Sequence, residues 1–466
     1  MEKEHIKNFN KMKNFNFQSK KEILNFLKGN KIVRFVRVIF PDVLGREMSF
    51  CVPSEEMKSA FEIGKGFDGS SVEGFARIEE SDLFIVPDPK TFRVLPWNYE
   101  MGDLIWKEAV IFGDIFNPKG EHFAGDSRYI LKKTLERTKK FWTLFVGPEL
   151  EFFIFGSENE PKLLDHGGYF YGGKWGEIRK ATQLYLKEMG IEVECDHHEV
   201  GPSQHEIDLK FADALNTADS IILAKYVLKR IARRLGLFAS FMPKPITGII
   251  GSGMHLHLSL WASPPHPKRN LFFENKFLSN FAKKYLMGLI KYGQEIQLIL
   301  NQWVNSYKRL VPGFEAPVYM AWGIKNRSAY IRVPEYQPGK EKPTRIELRS
   351  PDPACNIYLT LAIIQTAGTQ GIKENLRISL PEEKDIYQMT KAEMKKKKIR
   401  TLARNLKEAL ELFKKSKLAR EALGEHIFQR IIQNKEIEWQ RYKKAVGKRF
   451  EKEVSPYEIR EYLPVL

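Results

Sequence analysis

The stretch GPELEFFIF, Gly147 to Phe155, holds two carboxylates, Glu149 and Glu151, two residues apart inside an apolar run. In a β-strand residues i and i+2 project from one face, whereas on a helix they diverge. The spacing predicts a strand over Phe145–Phe155, with both glutamates on one face and Leu150 packed behind them. The same spacing recurs at His255 and His257 in GSGMHLHLSLW, and at Arg345, Glu347 and Arg349 in TRIELRSPDP. There Leu256, Ile346 and Leu348 take the apolar side. Any one of these is an ordinary half-buried strand with its wet face outward; three of them bearing metal- or phosphate-type ligands point to a shared polar site. Glu199 (DHHEVGP) and Glu206 (SQHEID) set two more carboxylates beside expected strands.

Five glutamates on one surface repel unless cations sit among them. Carboxylates with an imidazole and no thiolate suit Mg²⁺ or Mn²⁺ better than zinc. Side chains two apart on a strand are separated by roughly 6–7 Å, so Glu149 and Glu151 serve two neighbouring ions more easily than one. Arg309, Arg327, Arg332, Arg345 and Arg349 supply planar forks that bind phosphate or carboxylate bidentately. Metals with an arginine array are what phosphoryl transfer requires, because its catalysis is mostly positioning and charge neutralisation.

Composition narrows the classes. The chain of 466 residues is 43% hydrophobic, which excludes global disorder and suggests two or three domains. Its apolar runs are too short to span a bilayer and its N-terminus lacks an apolar signal core, so a soluble cytoplasmic protein is expected. Cys51, Cys195 and Cys355 are odd in number and lack CxxC spacing, which argues against a disulfide scaffold or a thiolate metal site. The net charge of +17 invites a nucleic-acid reading. Lys391–Arg420 alone holds 12 basic and 3 acidic residues, and its Leu402, Leu406, Leu410 and Phe413 predict one amphipathic helix with a solvated basic face. With no nucleic-acid motif elsewhere, that charge reads as surface.

Along the chain, residues 1–19 are polar and expected to be a disordered extension. A helix near Lys21–Leu27 and strands at Ile32–Phe40 and Glu47–Val52 begin a small α+β unit, residues 20–116. The turn Asn117–Gly120 leads to the main body, residues 117–466, with helices near Arg128–Lys139, Ala214–Leu235, Leu278–Ile299 and Ile357–Gly368. Further strands fit Ile191–Glu199 and His205–Leu209. Gly64–Gly69 matches GxGxxG but lacks a βαβ context, and GxxxxGK[ST] and HExxH are absent.

Eight segments in order, FDGSS (67–71) with ESDLFIVPD (80–88), GPELEFFIF, HHEV (197–200), GSGMHLH (251–257), KRLVPGFEAPV (308–318), NRSAYIRVP (326–334) and RIELRSPDPACNIYL (345–359), resemble glutamine synthetase, most closely its type I bacterial and archaeal branch. The resemblance implies an α+β fold: an N-terminal β-grasp domain and a catalytic domain on an antiparallel sheet, assembled as a homododecamer with active sites between subunits. It implies ATP-dependent phosphorylation of the glutamate γ-carboxylate, then displacement of phosphate by ammonia.

Carried across on this basis, Glu151, Glu199 and Glu206 resemble the ligands of one metal, and Glu149, His255 and Glu347 those of the other, giving two Mg²⁺ or Mn²⁺ per site. Arg309 and Arg349, with Gly251 and Glu151, match the amino-acid substrate site. Arg327 and Arg332 would neutralise the transferring phosphoryl group, and Glu194, Phe211, His257, Ser259, Arg332, Lys342 and Arg345 match the ATP site. Asp68 resembles an aspartate contributed across the subunit interface to deprotonate ammonium, with Ser71, Tyr169 and Glu315 completing that pocket. By residue type alone, Ser71 equally suits a turn cap and Phe211 a core position.

One position departs from the pattern. Glutamine-forming relatives usually read Asn-Gly-Ser-Gly-Met-His, and here Ile250 replaces the Asn, removing a contact worth roughly 0.5–1.5 kcal/mol. Three readings follow: a glutamine synthetase, a γ-glutamyl–amine ligase of the same fold using an organic amine, or a non-catalytic family member. Six intact metal ligands argue against the last. Tyr387 (KDIYQMT) lies where some relatives are adenylylated, in a poorly matching context that reads as surface.

Overall fold

The computed structural model describes residues 17–74, 81–173, 175–264, 269–275, 277–312, 316–335, 343–447 and 453–466. The N-terminal unit is a sheet of β1 (Val33–Pro41), β2 (Glu47–Pro53), β3 (Lys65–Asp68), β4 (Asp82–Pro87), β5 (Arg93–Val94), β6 (Tyr99–Met101) and β7 (Leu104–Phe116). Its order is β2-β1-β7-β4-β3, and β1 runs parallel to the central β7. Alternation along the central strands gives the sheet two apolar faces. Val36, Val38, Ala109 and Ile111 join a local core under the helix Lys20–Gly29, whereas Ile39, Val110 and Phe112 join the main core. One sheet thus seals its own domain and docks it.

Charge pins that docking. Arg128, fully buried at the start of the helix Ser127–Glu136, grips Asp219 bidentately (3.0 and 2.9 Å) and donates to Asp114 at the end of β7 (2.8 Å). Tyr358 donates a further hydrogen bond to Asp219 at 2.7 Å. A guanidinium taken from water holds its place only with this full set of acceptors, so removing one partner costs about 3–5 kcal/mol.

The main body wraps helices around a second sheet: β8 (Trp142–Phe155), β9 (Val193–His198), β10 (Gln204–Leu209), β11 (Ala212–Asp213), β12 (Phe238–Ser240), β13 (Met254–Ala262), β16 (Tyr319–Ile324), β17 (Ala329–Val333), β18 (Ile346–Leu348) and β19 (Arg400–Thr401), with a separate β14–β15 hairpin (Phe273–Glu274, Phe277–Leu278). The order β19-β16-β17-β18-β13-β8-β10-β9 is antiparallel except for the parallel pair β16–β17. Leu150, Leu256, Ile346 and Leu348 are fully buried against the helices, as the two-residue spacing requires. The long helices Ala214–Arg234, Asn280–Leu300 and Ile357–Lys373 cover that face.

Three expectations are corrected. Lys391–Arg420 is not one helix. It divides into Lys391–Lys396, β19, Leu406–Lys414 and the start of Lys417–Val446, because Asn405 and Ser416 each cap a new helix with their side chains and Leu402 N–H pairs with Val318 O (2.9 Å). The four apolar residues are buried as expected, but Leu402 follows β19 and lies outside any helix. Within the supposed disordered extension, Phe17 is buried edge-on against Phe26 and Phe92, and Ser19 caps the helix Lys20–Gly29; residues 1–16 lie outside the described residues. Tyr387 is half-buried rather than a surface residue, and its hydroxyl donates to Ala316 O at 2.7 Å. The GxGxxG segment forms β3 and the turn after it. Among the described residues no helix is long and apolar enough to cross a membrane.

Candidate active site

Register across six strands builds the site. His255 stands opposite Glu149 between β13 and β8, and His257 opposite Glu347 between β13 and β18. On the other side of β8, Glu206 faces Glu151 and Asp208 faces Glu149; beyond β10, His197 faces Glu206. Arg332 on β17 faces Glu347. Directly opposed residues of an antiparallel pair share a face. The polar side chains therefore collect on the side of the sheet away from the helices, around a cavity of about 330 Å³.

The Glu149 carboxylate accepts from His255 Nδ1 (2.8 Å) and His257 Nε2 (2.6 Å), while His257 Nδ1 accepts from Arg345 Nε (2.9 Å). Burial raises the Glu149 carboxyl, but these donors outweigh it and hold it well below the usual carboxylate range. Glu347 accepts from Arg332 and from Arg349 Nε (3.1 Å), and lies 3.8 Å from His255 Nδ1. Its carboxyl is also lowered: burial opposes, and His257, His255 and Arg349 prevail. Potential ligand atoms of Glu149, His255 and Glu347 lie within 4.8 Å of one another, as a shared metal requires.

The second trio is arranged differently. Glu151 accepts from Gly253 N–H (2.8 Å) and Gln204 Nε2 (3.1 Å). Burial, reinforced by the Glu199 charge, pushes its carboxyl up to about 8. Glu206 is driven well above its ordinary value by burial and by Glu151 and Glu149. Glu199 lines the same cavity, but the compact grouping joins Glu206 to His197 and Asp208, also within 4.8 Å. His197 and Asp208 were missed in the sequence, although Asp208 stands two residues from Glu206 and the strand rule points to it. Asp208 Oδ1 is buried without a hydrogen-bond partner among the described residues. Carboxyls forced toward the neutral form by one another, an orphaned carboxylate oxygen and an imidazole make an oxygen-rich donor set that fits hard divalent cations.

The arginines surround this set. Arg309, buried on the short helix Ser306–Arg309, is anchored by the carbonyls of Ser350 (2.8 Å), Pro351 (3.3 Å) and Arg349 (3.1 Å). Arg349 Nη1 and Arg332 Nε are buried with no acceptor among the described residues, so two guanidinium groups keep donors for an oxyanion. Arg327 is exposed at the cavity edge on a turn held by Asn326, which donates to Glu382 O (2.8 Å) and Lys384 O (2.9 Å). Gly251 lies where a Cβ would collide with Pro243 O and come within 3.2 Å of the Arg309 side chain. Ile250 lines the cavity beside it, and Tyr169 lies at its mouth, 49% exposed.

Other expected residues lie elsewhere. His257 and Arg345 extend the network from Glu149, and Ser259 accepts from the Trp261 indole (3.1 Å), on which Phe211 stacks with its ring half exposed. Phe211 is thus a surface platform and not core. Glu194 is exposed on β9 and outside the cavity lining. Asp68 is exposed in the N-terminal unit, where its carboxylate accepts from the Ser70 (2.6 Å) and Ser71 (3.0 Å) hydroxyls and caps the turn Gly69–Ser71; neither Asp68 nor Ser71 lines the cavity of its own chain. Glu315 and Lys342 lie outside the described residues. Cys51, Cys195 and Cys355 are free thiols; Cys195 lines the cavity and donates to Asp208 (2.9 Å).

Residues 32–118 match the family model "Glutamine synthetase, beta-Grasp domain", and residues 124–462 match "Glutamine synthetase, catalytic domain". The chain is 43% identical over 459 residues to the glutamine synthetase of Methanosarcina mazei, covering 96% of this chain and 98% of that protein. It is 44% identical over 445 residues to that of Thermus thermophilus, covering 92% and 97%. A solved GmaS–ADP complex superposes with a TM-score of 0.81 at 27% identity, covering 95% of this chain and 99% of that one. With both domains matched and the acidic face in register, the chain belongs to the glutamine synthetase family.

Proposed function

We propose that this protein is an ATP-dependent carbon–nitrogen ligase of nitrogen metabolism that joins ammonia to the γ-carboxylate of glutamate through a γ-glutamyl phosphate. The observation that carries the reading is the placing of Glu149, His255 and Glu347 within 4.8 Å of one another, beside arginines with unused donors. Glu149, His255 and Glu347 would hold one Mg²⁺ or Mn²⁺, and Glu151, Glu199 and Glu206, aided by His197 and Asp208, a second. When bound, such ions neutralise phosphate charge. Arg349 and Arg309 bind the glutamate carboxylates and orient the γ-carboxylate. Arg332 and Arg327 neutralise the phosphoryl group as it moves. His257, Arg345, Ser259 and Phe211, with Lys342 and Glu194, form the nucleotide side.

Asp68 and Ser71 open to solvent on the N-terminal unit, which supports an assembly in which a neighbouring subunit contributes them, with Glu315 and Tyr169, to an ammonium pocket. A ring-built dodecamer in the cytoplasm is the arrangement we infer. Restored activity on mixing Asp68→Ala and Arg327→Ala subunits supports it; inactive mixtures of folded subunits refute it.

Ile250 on the cavity wall favours a second reading, an organic amine or altered acid as co-substrate. The test is phosphate release from ATP with Mg²⁺ or Mn²⁺ and glutamate, comparing ammonium with alkylamines and polyamines. Saturable, glutamate-dependent turnover with ammonium establishes the first reading. Turnover only with an amine establishes the second, and none with any pair removes both.

A further inference from the structure

A separate concentration of charge lies on the helix Ala214–Arg234. Lys225, Lys229 and Arg233 recur every four residues with Arg230 beside them, and all four line a cleft of about 660 Å³. The cleft lies between that helix, the turn Leu44–Met48 of the N-terminal unit and the C-terminal residues Pro464–Leu466. Arg37 and Arg46 also line it, but they pair with Glu108 (2.9 Å) and Asp42 (2.6 Å).

The other four are not so satisfied. Among the described residues none of them closes an ion pair with a carboxylate. Lys225 donates to Pro353 O and Lys229 to Val465 O (3.4 Å), with both ammonium groups over the Phe241 ring. Arg230 stacks on Tyr99, 5.0 Å from its centroid, and its Nε is buried without an acceptor. Like charges four apart on a helix destabilise it, and burial adds to that cost. Burial, with Lys225 and Arg233 nearby, pushes the Lys229 ammonium down to about 8. Among the described residues Glu47 is the one carboxylate side chain lining the cleft, so the four unpaired cations outnumber it. A phosphate dianion, with three strong acceptor oxygens, suits that excess of positive charge.

We propose that this cleft is a binding site, apart from the acidic cavity, for a phosphate-bearing small molecule whose phosphate is gripped by Lys225, Lys229, Arg230 and Arg233 against the N-terminal unit. Its volume suits a metabolite-sized ligand. Pro353, held by Lys225, lies four residues beyond Arg349, so the occupant touches the segment that leads out of the acidic site.

The test is calorimetric titration of the full chain with pyrophosphate in magnesium-free buffer, which reads binding without turnover. Arg233→Gln, an exposed change that leaves the fold in place, and Lys229→Gln/Arg233→Gln are each expected to weaken binding at least about tenfold, since a charge-assisted hydrogen bond is worth about 1.5–3 kcal/mol. Lys229→Arg retains binding, and Glu347→Ala, in the other site, leaves it unchanged. Unaltered affinity in Arg233→Gln, or loss of binding in Glu347→Ala, overturns the assignment. Equal binding of malonate at matched ionic strength overturns the preference for phosphate.

Discussion

His257 connects Glu149 to Arg345: its Nε2–H donates to the carboxylate at 2.6 Å, and its Nδ1 accepts from the guanidinium at 2.9 Å. That pair of contacts fixes the orientation of the ring and leaves His255 to bond the other Glu149 oxygen at 2.8 Å. The carboxylate is thereby oriented before any cation arrives, and Arg345 is tied to the same group.

His257→Ala is therefore expected to weaken the metal dependence of phosphate release about 10–100-fold, as loss of a ligand's hydrogen-bond partner does. His257→Gln, which keeps a donor and an acceptor, should recover part of it. Metal titration of turnover checks this; equal metal dependence in wild type and His257→Ala would falsify the role.

Glu347 touches both arginines and belongs to the compact trio. Glu347→Ala should reduce phosphate release by more than about 100-fold, beyond what loss of a supporting contact does. Activity persisting in a folded variant, shown by an unchanged circular dichroism melt, would remove the assignment.

Gly251 packs against Arg309 and Pro243 too closely for a Cβ. Gly251→Ala is expected to raise the KM for glutamate about tenfold by displacing the Arg309 side chain, with the KM for ATP little changed. Parallel increases in both constants would show a general distortion instead. At the neighbouring position, Ile250→Asn adds a hydrogen-bonding group worth roughly 0.5–1.5 kcal/mol, so the KM for glutamate should fall about 2–10-fold if glutamate is the acid.

Asp126 gives a pH signature outside the site. Burial and the neighbouring Asp114 push its carboxyl up to about 6 in the folded chain. The unfolded chain releases that proton nearer 3.9, so the folded state binds it more tightly. This stabilisation is full below the unfolded value and is lost as pH rises through about 6. The stability of wild type relative to Asp126→Asn should fall by about 1.4 kcal/mol between about pH 5 and pH 8. Urea denaturation at both values measures it, and a pH-independent difference contradicts the shift.

Local periodicity carried further than charge patterning in reading this chain. Two-residue spacing placed Glu149, Glu151, His255, His257 and Glu347 on strands, because alternation is a property of one strand's backbone. The basic run Lys391–Arg420 misled, because Asn405 and Ser416 offer the backbone caps that compete with continuous helix. Phe17 looked like part of a loose tail, since the rings of Phe26 and Phe92 that bury it become neighbours only after folding.

By itself the sequence determined which side chains share a strand face and which residue types could hold a cation or a phosphate. Only the tertiary structure decided which of them meet. Strand register aligned Asp208 with Glu149 and His197 with Glu206, and it spread Glu199 from the compact group. The reason is physical: pairing register is settled by hydrogen bonds and burial between segments tens to hundreds of residues apart, and no local spacing encodes it.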